Sequence, residues 1–149
     1  MGFHLFAKTV YDKDLCFVRD LIELAGAIEE VTSVQIMRPI IMEIIKKHNL
    51  EEKLTEFGEN GHYRIMDCYY TDNNKRMSCA YDMLNACNQI PFLTDNEKSH
   101  IRFKAIDCLK KWGFSHNEKI QLIKDCICPT DFSKEAEKIM VDMYLDIFN

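Results

Sequence analysis

Two four-residue stretches constrain this chain more than any other feature: T-D-N-E at 94–97 and S-H-N-E at 115–118. Each sets a hydroxyl three residues ahead of a glutamate, the pattern in which the two side chains satisfy orphan backbone N–H groups at a helix start. With two marked starts so close together and Gly113 as a stop between them, no long continuous helix fits there. The C-terminal half must fold back on itself in short helices. The similar D-N-E-K at 95–98 and H-N-E-K at 116–119 read as reused capping chemistry rather than as a structural repeat, because the surrounding residues do not match.

Apolar spacing extends this reading to the rest of the chain. From Asp12, an N-cap candidate, Leu15, Val18, Leu21, Ile22, Ala25 and Ile28 fall on one helical face and predict a helix over about 13–31. Pro39, tolerated in a first turn, predicts a second helix from about Pro39 to His48 with Ile40, Ile41, Ile44 and Ile45 inward. Leu50, Leu54 and Phe57 ahead of Gly58 predict a short third helix capped by that glycine, followed by a loop over G-E-N-G-H.

The stretch Y-R-I-M-D-C-Y-Y at 63–70 suits a strand by composition, but a lone strand has nothing to pair with, so a short helix is expected. Met77, Tyr81, Leu84 and Cys87 share a face that Pro91 ends. The first capped start carries Ile101, Ala105, Cys108, Leu109 and Trp112, and the second carries Ile120, Ile123, Cys126 and Ile127 before Pro129. A last helix from about Ser133 lines up Ala136, Met140, Met143 and Ile147. The expectation is an all-α fold without a sheet: a single compact domain over 1–149, with about six to eight short helices in an irregular orthogonal bundle.

Charge narrows the partners. A net charge of −5, with no basic cluster larger than pairs such as Lys46-Lys47 and Lys110-Lys111, is a poor footprint for a phosphate backbone or an anionic membrane surface. No apolar run approaches the ~20 residues of a membrane span, and the opening M-G-F-H-L-F-A-K-T-V lacks the form of a signal peptide. Cytoplasmic residence is expected, with secretion as the alternative if a leader has been removed.

Motifs for chemistry are missing. The five glycines never form a phosphate-binding loop, and T-D-N-N-K-R-M-S-C-A-Y-D lacks the glycine and final glutamate of a calcium loop. No metal, cofactor or catalytic residue is assigned. The chain is expected not to be an enzyme.

Seven cysteines, an odd number, leave at least one thiol outside any intramolecular disulfide. Only Cys126 and Cys128 lie close in sequence, without the second pair a zinc site wants. A cysteine nucleophile would need a base beside it, and none of His4, His48, His62, His100 and His116 stands in a recognisable motif. The spacing Cys68-x10-Cys79-x7-Cys87, with Ala80-Tyr81 after the middle cysteine, resembles the last three cysteines of insect odorant-binding proteins. That resemblance implies a secreted, disulfide-containing helical carrier of a small hydrophobic ligand. The chain departs from the family in its final gap and in offering only Cys16 ahead of Cys68. Either Cys79 and Cys87 line the inner side of a reduced helix, or they end a disulfide framework.

Eight methionines and nine phenylalanines are a large stock of adaptable apolar side chains for a small helical domain. Core filling accounts for such a stock, and so does a groove that takes a partner helix. The leading expectation is a non-enzymatic interaction module that binds a partner protein or peptide helix, or a second copy of itself, in an apolar groove between helices. Bcl-2-like folds share that architecture, and the likeness is one of architecture alone. The two capped C-terminal helices are the expected wall, with Phe103, Trp112 and Tyr144 as anchors, because large aromatics dominate interface energy.

Overall fold

A computed structural model describes residues 8–32, 35–59 and 63–149. Among them, a strand β1 (Lys8–Val10) leads into helices α1 (Lys13–Thr32), α2 (Met37–Lys47) and α3 (Glu51–Glu59). A second strand, β2 (Tyr63–Ile65), precedes α4 (Asn73–Asn88), α5 (Asp95–Leu109), a 3-10 turn (Lys110–Trp112), α6 (His116–Cys126) and α7 (Lys134–Phe148). The fold is all-α, with a two-stranded parallel sheet as its only extended structure among these residues. None of these helices is long and apolar enough to cross a membrane.

Local chemistry sets most helix ends. The Asp12 carboxylate accepts from the backbone N–H of Asp14 and Leu15, at 2.9 and 3.1 Å, and so caps α1. Burial would raise its pKa, but the hydrogen bond from Lys53 and those backbone donors outweigh it and hold the carboxyl below its usual range. Both expected capping boxes form: Thr94 and Glu97 start α5, and Ser115 and Glu118 start α6. At the end of α2, Asn49 takes a left-handed φ of 57°, and Leu50 N–H donates to the Ile45 carbonyl while Asn49 N–H donates to Lys46. This reversal turns the chain into α3 and buries Leu50.

Four expectations are corrected. Residues 63–65 form a strand rather than a helix, because Lys8–Val10 supplies the partner: Lys8 pairs Tyr63, Thr9 pairs Arg64 and Val10 pairs Ile65. Three residues are too few to display a period of two, so that partner has no signature in the sequence. Gly58 lies within α3 and does not cap it; among the described residues the left-handed glycine is Gly113, at φ 79°. The buried side of α7 is Val141, Tyr144, Leu145 and Phe148, one residue out of phase with Met140, Met143 and Ile147. The helix carries two adjoining apolar stripes: packing against α5 and α6 buries one, while of the other Met140 and Ile147 pack partly buried against the core and Met143 is left exposed. The loop expected at 58–62 falls partly in α3, with positions 60–62 outside the described residues; so are residues 1–7.

The core runs through the whole bundle. α1 packs against α2, α3 and α5, while α4 packs against α2, α5 and α6, and α7 closes over α5 and α6. One buried carboxylate sits in it: Asp20, on α1, is fully enclosed. Trp112 donates its indole N–H to Asp20 at 2.9 Å, and Arg19 and Lys111 lie at 3.2 and 3.9 Å. Burial pushes the Asp20 carboxyl up against the pull of these donors and cations.

Candidate functional site: a cleft between the first two helices

Residues of α1, α2 and α3 line an open cleft of about 410 Å³. Its floor is apolar. Ala25 on α1 and Ile41 and Ile45 on α2 form it, all less than a tenth exposed, with Leu54 of α3 beneath. Met42, 40% exposed, stands on the α2 wall, opposite Ile22 and Gly26 of α1.

Gly26 is the informative residue. It lies in the middle of a 20-residue helix, where glycine is about 1 kcal/mol less favourable than alanine. A methyl group added at its Cα would meet nothing within 4 Å among the described residues, so none of them requires the glycine. With no side chain there, the α1 wall is low and the helix backbone is open to the cleft.

The rim is charged. Arg38 Nε lies 3.3 Å from the Glu29 carboxylate across the mouth, joining α2 to α1. With the Arg38 side chain 66% exposed, solvent screens this pair to roughly 0–1 kcal/mol. It opens at little cost.

The residues chosen from sequence lie elsewhere. Trp112 is buried, stacked between Tyr69 and Phe114 at 5.8 and 6.1 Å and edge-on to Phe17. Tyr144 is buried too, and its ring lies 5.5 Å from that of the partly buried Phe103. Trp112 and Tyr144 therefore close the core in this conformation. Tyr144 does contribute to the wall of a second, more polar cleft of about 390 Å³, where α5 meets α7 and the loop before α7. Phe132 and Met143 stand partly exposed there, beside Asp95, Lys98 and Arg102.

The α1–α2 cleft was missed because it is lined by ordinary aliphatics. The available signal was A-G-A at 25–27, a glycine inside a strongly periodic helix with no capping role.

The buried thiols are poor candidates for a catalytic nucleophile at neutral pH. All seven cysteines are free, and Cys68, Cys79 and Cys87 are not joined to partners as the odorant-binding resemblance implies. Burial pushes the Cys79, Cys87 and Cys126 thiols up to about 12, and those of Cys16 and Cys108 to about 11. Thiols held so far above neutrality carry little thiolate. A histidine–carboxylate pair does occur: His48 Nε2 lies 2.6 Å from Asp82, and Lys75 Nζ lies 3.0 Å from His48 Nδ1. Both ring nitrogens are thus occupied, and the ring packs edge-on against Phe17. The arrangement ties α2 to α4.

No family model, curated protein or solved structure matches this chain.

Proposed function

We propose that this chain is a non-enzymatic interaction module that seats the apolar face of a partner helix in the cleft between α1 and α2. One observation carries the reading: an open cleft with a buried aliphatic floor is bordered by a mid-helix glycine that no contact among the described residues requires. A helix presenting apolar residues at positions i, i+3 or i+4, and i+7 fits a trough of this kind. The Met42 thioether adapts to the shape of the occupant. Glu29 and Arg38 offer one charge of each sign at the rim, which sets the orientation of a partner more than its affinity.

The test is fluorescence polarisation with a panel of labelled amphipathic helical peptides of about 20 residues. Saturable binding is expected for at least one peptide. Met42→Glu and Gly26→Leu should each weaken it about tenfold or more, and Met143→Glu, in the second cleft, should leave it unchanged. Absence of binding by every peptide would count against the proposal. So would binding that responds to Met143→Glu and ignores both cleft substitutions.

A further inference from the structure

Cys16 and Cys68 are 52 residues apart in the chain, yet their sulfurs lie 4.0 Å apart. Cys16 sits in the first turn of α1 and is wholly buried. Its thiol donates to the Met66 carbonyl at 3.1 Å, and its sulfur accepts from the Cys68 backbone N–H at 3.4 Å. Arg19, one turn further along α1, donates to the Asp67 carboxylate at 2.8 Å, and the Tyr70 hydroxyl donates to Asp14 at 2.5 Å. Contacts on both sides of Cys68 therefore hold the two sulfurs together before any covalent bond exists. Cys68 itself is partly exposed, so a small oxidant reaches it without unfolding.

We propose that Cys16 and Cys68 form a reversible thiol–disulfide pair that, on oxidation, cross-links the segment after β2 to α1. The oxidant is a low-molecular-weight disulfide such as oxidised glutathione. The Cys68 thiolate attacks one of its sulfurs, the glutathione S–S bond breaks, and the first glutathione thiolate leaves. The Cys16 thiolate then attacks the Cys68 sulfur, the mixed disulfide breaks, and the second glutathione leaves. Two protein thiols lose two electrons, the small disulfide gains them, and the two protons pass to the released glutathione. The sulfurs close from 4.0 Å to the ~2.05 Å of a disulfide, with the partly exposed Cys68 side chain as the one free to swing. Burial holds the Cys16 thiol up at about 11, so ring closure quickens as pH rises, about tenfold per unit near neutrality.

The experiment uses the full chain, reduced, freed of reductant and incubated with oxidised glutathione at about pH 8, then quenched with acid. Intact mass should fall by two hydrogens, and a non-reducing peptide map should join the peptides of Cys16 and Cys68. Dithiothreitol should reverse both changes, and Tm should be several degrees higher in the oxidised form. Cys68→Ser should abolish the mass loss, and Cys126→Ser should leave it intact. The proposal is overturned by a stable glutathione adduct on Cys68 with Cys16 still free, by a bridge between other cysteines, by a mass loss that survives Cys68→Ser, or by seven unreacted thiols.

Discussion

The Trp112 indole N–H and the Asp20 carboxylate meet at 2.9 Å inside the core, joining positions 92 residues apart. Both groups are buried, so each depends on the other in place of water. Trp112→Phe removes the donor, leaves a buried carboxylate short of a partner and opens space beside Tyr69 and Phe114. A loss of about 2–4 kcal/mol is expected, read by urea unfolding followed by far-UV circular dichroism. A loss below about 0.5 kcal/mol would contradict the burial of the indole against Asp20.

The same carboxylate makes stability depend on pH. Because burial raises the folded-state pKa of Asp20 above the usual 3.8, the unfolded chain gives up that proton first as pH rises. Over that window the folded state holds more protons, so the contribution of Asp20 to stability falls with rising pH. Asp20→Asn keeps an acceptor for Trp112 and removes the titration. Unfolding free energies measured from about pH 4 to pH 7 should therefore move in favour of the variant relative to the parent chain. A difference that stays constant, or moves the other way, would contradict the direction assigned to Asp20.

α7 allows a paired test of phase. Leu145 is buried and Met143 is 43% exposed, though both are large aliphatics two residues apart on the same helix. Leu145→Ala should cost about 2–5 kcal/mol, while Met143→Ala should stay within about 0.5 kcal/mol. Thermal unfolding of the two variants decides which stripe faces inward. Equal losses would contradict the assigned phase.

Gly26→Ala should stabilise the chain by roughly 1 kcal/mol, because the added methyl meets nothing and the helix gains a better former. The same substitution narrows the cleft mouth. Raised stability together with weakened peptide binding, measured by unfolding and by polarisation, would identify the glycine as kept for its occupant. Raised stability with unchanged binding would leave Gly26 without that role.

Helix starts were legible in the sequence because capping is local. Asp12, Thr94, Ser115 and Ser133 each bond backbone N–H groups within three residues, so their geometry depends on almost nothing distant. The end of α2 at His48 was legible for the same reason, and the break after it follows from Asn49, a residue that tolerates a left-handed φ. The candidate cleft was not legible. Its floor residues are the same isoleucines and alanine that periodicity assigns to a core, and nothing local distinguishes a covered core from an uncovered trough.

The sequence by itself determined the all-α class and the short lengths of the helices, since spacing, caps and turns act within a few residues. Tertiary structure alone decided the rest. It supplied Lys8–Val10 as the partner of β2, chose between the two stripes of α7, and drew Trp112 inward to Asp20. It also brought Cys16 to Cys68 and left a cleft open among Ile22, Ile41 and Leu54 of three different helices. Each of these depends on surfaces far apart in the chain that compete for the same burial. Local spacing carries no information about which pair of surfaces meets.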